Sequence, residues 1–326
     1  MNVQTVSYQG LSFVNVARPT DFEMKFLRNT YDFNSLDLED LMYRTQIPKI
    51  ANHKKYDLIV LRFPLFSESV TQNSHQYGLV HLPTFSTQTK KRRLMSSYIN
   101  IFVSKEYVVV IHDGTLTQID RIFASCQKTL HNRTEYMGKG GVFLAYKIID
   151  ALVDDCFPAI NEITAAIDKI DKELEGKQSQ KTLENISTTR RNLVVFHTMI
   201  KPIIPLFSQL EAGVHKELNG IMQPFWSNIL DHLRKILDRV EDNQELIEGI
   251  SRSNESLLSS RNNEMVKFFT IVTSVAFPFV IVNNLYSMNV VSLPYAQQPW
   301  IVWVLFVVIL AGGLAMLVYF KIKNWL

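Results

Sequence analysis

Apolar and polar positions divide this chain into three regimes. Up to about residue 145 the apolar residues come in short runs. Leu11 to Val16 is one, and Tyr56 to Phe66 and Tyr77 to Phe85 are richer in β-branched and aromatic residues. The composition of the latter two predicts strands. Ser97 to Val103 and Tyr107 to His112 flank Ser104-Lys105-Glu106 and predict a hairpin, closed by a turn at His112-Asp113-Gly114. Two short helices interrupt the strands. One starts at Pro19-Thr20-Asp21 and carries Phe22, Phe26 and Leu27 at helical spacing. The other has Ser35 as its expected N-cap and runs through Leu38, Leu41 and Met42. Residues 1–145 are therefore expected to form a mixed α/β domain.

From Gly141 the spacing becomes helical. Leu144, Ile148, Leu152, Ile160, Ile163, Ile167, Ile170 and Leu174 predict one helix over Val142 to Glu175, broken by Gly176-Lys177-Gln178-Ser179. A second helix over Thr182 to about Gln209 carries Leu183, Ile186, Leu193, Phe196 and Ile200, with Pro202 and Pro205 predicting a kink or an early end. The pair is expected to make a helical hairpin over 146–218. Pro224 suits the first turn of the next helix. Only Gly249 and Pro278 interrupt the 62 residues from there to Leu285, roughly 93 Å if helical throughout. Its first part, 219–267, is expected to be a stalk, with a packing face at Leu230, Leu233, Leu237, Val240, Leu246, Ile247, Ile250, Leu257 and Leu258.

The third regime is apolar. The 18 residues Phe268 to Leu285 carry no charge and span roughly 27 Å as a helix, enough for a bilayer core. The uncharged loop 286–299 precedes a second span, 300–320, with Trp300, Trp303 and Tyr319 near its ends. A basic tail, 321–326, follows. Lys267, Lys321 and Lys323 flank the spans on one side, which places both termini in the cytoplasm and the loop outside, in the plasma (cell inner) membrane. Polar residues recur along the first span. Asn263, Thr270, Phe277 and Asn284 lie seven apart, with Thr273 and Ser274 between them. Two helical turns separate members of the series, so they share a face. Lipid cannot satisfy such a face; protein or water must. The hydroxyls can instead bond a neighbouring helix or their own backbone one turn back. The length of the stripe favours a water path enclosed by identical copies of this helix.

Composition narrows the classes further. Of the 326 residues 20% are charged and the net charge is +3, with no dense basic patch beyond Lys90 to Arg93, so nucleic acid is not an expected partner. Cys126 and Cys156 lack metal-ligand spacing and read as buried small hydrophobes in a reducing compartment. No basic-then-apolar run opens the chain, which fits a cytosolic N-terminal region. No GxGxxG, Walker loop, GxSxG or paired histidine motif occurs, so neither an enzyme nor a dedicated Zn²⁺ site is expected.

The two C-terminal spans, Tyr286-Ser287-Met288-Asn289 after the first, Pro278 within it and the terminal VYFKIKNWL resemble the CorA family of divalent-cation channels and transporters. Ala151-Leu152-Val153-Asp154-Asp155, Arg191-Asn192-Leu193, and Leu38-Glu39-Asp40-Leu41 followed by Pro48-Lys49 extend the likeness along nearly the whole chain. The resemblance implies a funnel-shaped homopentamer whose stalk helix continues into the pore-lining span. It implies a cargo of hydrated Mg²⁺, with Co²⁺ or Ni²⁺, and no cofactor beyond a divalent cation acting as substrate and regulator. Zn²⁺ or another transition metal is the sister reading within the family, and a non-conducting membrane-anchored sensor or scaffold is the competing class. The family's Gly-Met-Asn signature at the outer mouth falls on Ser287, Met288 and Asn289, with Ser in the Gly position. Its pore-facing positions fall on Asn263, Val266, Phe269, Thr273, Phe277, Val280 and Asn284. Phe269 and Phe277 would form apolar constrictions, and Asn284 a second amide ring inside the mouth. An acidic residue common in the family's outer loop is missing, since Leu293-Pro294-Tyr295 stands there. For the family's regulatory cation site, the stalk position expected to be acidic falls on Asn228. Asp231 lies one turn away, and Asp154 and Asp155 are further candidates.

Overall fold

The computed structural model describes residues 2–42, 47–66, 93–174, 180–288 and 298–323. The expected strand at Tyr77 to Phe85, the Gly176–Ser179 break and Asn289 with the outer loop as far as 297 lie outside them. The chain divides into two compact units, Met1–Ile250 and Ser251–Leu326.

Among the described residues the first unit is built on a six-stranded sheet. In chain order the elements are β1 (Val3–Tyr8), β2 (Leu11–Ala17), α1 (Asp21–Tyr31), α2 (Ser35–Met42), β3 (Lys49–Asn52), β4 (Asp57–Phe66), β5 (Leu94–Val103) and β6 (Tyr107–His112). Strands lie in the order β1-β2-β6-β5-β4-β3. Among the described strands only β2 and β6 pair in parallel, with Phe13 opposite Val108 and Asn15 opposite Val110. The expected hairpin of β5 and β6 is antiparallel, with Ile101 opposite Val110. Both faces of the sheet are buried, which is why β4 and β6 read as nearly unbroken apolar runs. Side chains alternate across a strand. Val108 and Val110 join Phe13, Ile59, Leu61 and Ile101 on one face. Val109 and Ile111 join Val14, Leu58, Val60 and Phe102 on the other, beneath α1 and α2.

The start of α1 is set as expected: the Glu23 carboxylate accepts from the Thr20 N–H at 3.0 Å and from the Thr20 hydroxyl. The cap of α2 is displaced by one residue from expectation. Asn34, not Ser35, accepts from the Leu36 N–H at 3.0 Å, because Ser35 is already the first helical residue.

Helices cover the larger core: α3 (Thr117–Lys128), α4 (Leu130–Met137), α5 (Gly141–Asp154), α6 (Cys156–Leu174), α7 (Gln180–Ile200), α8 (Ile203–Glu211) and α9 (Lys216–Asn219). The single helix expected over Val142 to Glu175 is broken at Asp155. Pro158 has no N–H for the Asp154 carbonyl four residues back, so the ladder stops there. Pro202 ends α7 in the same way, as its position predicts. The cysteines are free and buried, and burial pushes the Cys126 thiol up to about 11.

A 3₁₀ turn, Gly220–Met222, leads into α10 (Gln223–Ser287), the longest element. In the first unit α10 buries Trp226, Ile229, Leu230, Leu233, Ile236, Val240 and Ile247, a three–four spacing that puts them on one stripe. The Trp226 indole donates to the Leu218 carbonyl at 2.9 Å, and the Asn243 amide donates to the Thr164 hydroxyl at 2.9 Å. Three residues of the expected packing face fall off that stripe. Leu246, Leu257 and Leu258 are exposed. Pro278 stands inside the helix, so the Ser274 carbonyl lacks its usual partner.

The second unit pairs the end of α10 with α11 (Pro299–Ile322). Among the described residues three stretches are long and apolar enough to cross a membrane. Lys181–Glu211 is one, but Leu193, Phe196, Ile200, Ile203, Phe207 and Leu210 of that stretch are committed to the core of the first unit. The other two, Lys216–Asn284 and Trp300–Ile322, contain the spans expected from the sequence and have hardly any of their apolar windows covered by protein.

Candidate functional site

On α10 successive residues turn by about 100°. Ile271 is buried, and Ser274, Val275, Phe279 and Val282 are half-buried, so one narrow face is covered. What covers it is α11. Phe279 meets Phe306 ring to ring, and a Cβ on Gly313 would sit 3.6 Å from Val275. Pairing 275 with 313 and 279 with 306 makes the two helices antiparallel. Lys267 and Lys321 therefore each lie eight residues, roughly 12 Å, beyond the Val275–Gly313 contact at the same end of the pair, with Lys323 just after. The three lysines therefore share one end of the helix pair within this unit.

The residues singled out from the sequence occupy the opposite face. Val266, Phe269, Thr273, Phe277, Val280 and Asn284 centre roughly 180° from the covered stripe, and all are exposed. Asn263 is exposed and Thr270 half-buried toward one edge of the same face. Phe269 and Phe277 leave 63% and 64% of their surface open. A helix this apolar needs no amide or hydroxyl to face lipid, so the side turned away from α11 is the one that calls for water or protein.

The hydroxyls on this helix are arranged in one way. Thr270 Oγ1 donates to the Val266 carbonyl at 2.7 Å. Thr273 Oγ1 lies 2.8 Å from the Phe269 carbonyl and 3.1 Å from that of Thr270. Ser287 Oγ donates to the Asn283 carbonyl at 2.7 Å. The backbone bond weighed from the sequence is thus made, and the oxygen remains free to accept. Helix α10 continues through Tyr286 and Ser287, and Met288 follows in a bend with its side chain exposed. Ser287 is helical, so the position does not require a glycine's conformational freedom.

A second constellation lies in the first unit. Asp150 and Asp154 sit four apart on α5, and His232 comes from α10; one ligand atom from each lies within 4.8 Å of the others. His232 Nδ1 is 3.3 Å from Asp154 Oδ1, and Phe157 packs edge-on against the imidazole. Burial raises the Asp150 carboxyl above the usual range, and the Asp154 charge adds to the rise. Two carboxylates and an imidazole are a donor set for a divalent cation, with the nitrogen favouring a transition metal. Of the candidates read from the sequence only Asp154 belongs here. Asp155 occupies the break between α5 and α6, and Asp231 faces Arg234 at 4.0 Å. Asn228 donates to Asp150 Oδ1 at 3.5 Å and so neighbours the cluster. Asp150 and His232 were not read from the sequence. The four-residue spacing of Asp150 and Asp154 was the available signal.

The profile of the family described as CorA-like Mg²⁺ transporter protein matches residues 8–323. The chain belongs to the CorA family. Its relatives include a cobalt/magnesium transport protein CorA of Thermotoga maritima, 26% identical over 297 residues, covering 91% of this chain and 78% of the relative. Among solved structures, the complete CorA magnesium transporter from Methanocaldococcus jannaschii superposes with a TM-score of 0.76 at 18% identity, over 98% of this chain and 94% of that one. The cytoplasmic domain of ZntB from Vibrio parahaemolyticus superposes at 0.55 and 11% identity, over 76% of this chain and 88% of that one. The CorA-type fold, a soluble α/β part followed by a long helix and two C-terminal apolar helices, is the fold found here. The chain is accordingly a divalent-cation transporter of this family and a membrane protein.

Proposed function

We propose that the chain carries hydrated Mg²⁺, and Co²⁺ or Ni²⁺ of the same size class, into the cytosol. The route is the axis of a homopentamer in the plasma membrane, with both termini cytoplasmic. The observation that supports it is the face of α10 opposite α11: amides at Asn263 and Asn284, a hydroxyl at Thr273 and two open phenyl rings, uncharged from Phe268 onward. Five such faces turned inward would satisfy the polar groups and leave the apolar remainder to lipid. Mg²⁺ holds its water tightly in octahedral array. An amide ring of Asn289 at the outer mouth, with Tyr286, Ser287 and Met288 setting its level, would accept hydrogen bonds from that water without removing it. Binding of that kind is weak enough to release. Phe269 and Phe277 would close the path by excluding water, and Lys267, Lys321 and Lys323 would meet lipid headgroups at the inner surface. The Asp150–Asp154–His232 cluster would hold a cytosolic cation and report its concentration.

A second reading, Zn²⁺ or another transition metal as cargo, draws support from the imidazole in that cluster. One experiment addresses both. Purified protein in proteoliposomes is assayed for Mg²⁺, Co²⁺, Ni²⁺ and Zn²⁺ influx, with Asn289→Ala alongside. Loss of influx in Asn289→Ala with assembly intact is expected. Unchanged influx in that variant removes the mouth assignment, and absence of all four fluxes in the parent favours a non-conducting sensor.

A further inference from the structure

Thr273 lies four residues from Phe269 and four from Phe277, roughly 6 Å from each along the helix axis and on the same exposed face. The two rings are open over nearly two thirds of their surface and would bracket about 12 Å of path. Val266 and Val280 extend the apolar lining beyond each ring. Between the rings the only polar side chain centred on this face is Thr273. A hydrated divalent ion crossing the interval would otherwise have no acceptor for its water, and an ion in that position bears a large desolvation cost.

The Thr273 hydroxyl is not a neutral partner that can turn either way. Its proton is directed at the helix backbone, with the Phe269 carbonyl at 2.8 Å and the Thr270 carbonyl at 3.1 Å. The oxygen can then only accept. Water bound to a cation points its hydrogens outward and finds an acceptor there. Water around an anion points its oxygens outward and finds none. Thr270 and Ser287 spend their protons in the same way, on the Val266 and Asn283 carbonyls. A span without a carboxylate, whose sequence has none between Ser287 and Trp300 either, can prefer cations by this device.

Resting on the inward orientation of this face, we propose that Thr273 is a specificity-determining residue. Its ring of acceptor-only hydroxyls is a halfway dwelling site for the cation's water shell, dividing one long apolar barrier into two short ones. Valine keeps the shape and the β-branch and replaces the oxygen by a methyl group. Serine keeps the oxygen.

The test uses the full chain in proteoliposomes with Mg²⁺ as the probe. Thr273→Val is expected to lower Mg²⁺ influx at least tenfold, Thr273→Ser to stay within about twofold of the parent, and both to assemble as the parent does. Thr273→Cys, in a background lacking Cys126 and Cys156, is expected to react with a hydrophilic cationic thiol reagent faster than Val275→Cys on the α11 side. Parental influx in Thr273→Val, with Asn289→Ala inactive and Thr273→Cys reactive, would overturn the dwelling site and leave the pore intact. An unreactive Thr273→Cys together with an active Asn289→Ala would remove the pore reading itself. Should Thr273→Val fail to assemble, loss of influx in Thr273→Ser would equally overturn the proposal, since the oxygen is retained there.

Discussion

Phe279 and Phe306 meet with 6.3 Å between ring centroids and 65° between their planes. Together with Val275 against Gly313 this contact sets which side of α10 faces its partner helix and which does not. A Cβ on Gly313 would land in ordinary van der Waals contact. Gly313→Ala is therefore expected to assemble and conduct like the parent, whereas Gly313→Phe, which must push α10 away or rotate it, is expected to lose at least tenfold in Mg²⁺ influx. Influx and gel filtration of the same preparations check both.

Phe277 stands on the face turned away from α11 and leaves 64% of its surface open. If it excludes water from the path, shrinking it and adding a hydroxyl will wet the constriction. Phe277→Ser is expected to raise resting Mg²⁺ influx several-fold, and Phe277→Leu to stay near the parent. Influx measured at low and at high internal Mg²⁺ separates the two.

The Asp150–Asp154–His232 cluster predicts cation binding apart from transport. In the detergent-solubilised full chain, Co²⁺ is expected to raise the thermal midpoint, and His232→Ala to reduce that rise by more than half. Asp231→Asn, whose carboxylate faces Arg234 instead, is expected to leave the rise unchanged.

Asp57 opens β4 with its carboxyl buried and Oδ1 without a partner. Burial raises it to about 6, the Glu217 charge adds to the rise, and His53 opposes it. The folded chain thus holds this proton more tightly than the unfolded chain, whose carboxyl sits at 3.8. Stability from this group is fully present below about pH 4 and is lost as pH climbs through about 6. Asp57→Asn is expected to stabilise the fold by about 1–2 kcal/mol at pH 7.5 and by little at pH 4. Thermal unfolding at the two pH values reads the difference.

Trp226 is wholly buried and its indole satisfies the Leu218 carbonyl. Trp226→Phe removes both the volume and the donor. A loss of about 2–4 kcal/mol is expected in chemical denaturation.

The strands β4 and β6 were readable because both faces of the sheet are buried and their apolar runs are nearly unbroken, and β5 was readable from its apolar second half, Ile99 to Val103. β1 was not, since Val3 and Val6 stand three apart with Gln4 and Thr5 between them, a spacing that does not match the period of two, on an edge strand that is only partly covered. The parallel pairing of β2 with β6 joins residues some 95 positions apart, and no local pattern encodes it. Pro158 sits among well-spaced isoleucines, and the periodicity masked the break it causes. The exposed face of α10 could be picked out in the sequence because a seven-residue spacing is local, although most of its side chains, Val266, Phe269, Phe277 and Val280, are apolar. The cation cluster was only half legible, because Asp154 and His232 are 78 residues apart in the chain and meet only once α10 packs on α5.

Pro278 immediately follows Phe277 and leaves the Ser274 carbonyl without its rung of the backbone ladder. A helix is easiest to bend where a rung is missing. The weak point falls between the two phenyl levels, above Thr273 and below Val280. A modest tilt there would swing the Phe277 ring sideways while Phe269 stays put, at the expense of few other hydrogen bonds. One imino acid thus gives an otherwise stiff rod a built-in elbow at the depth where a shutter would be most useful.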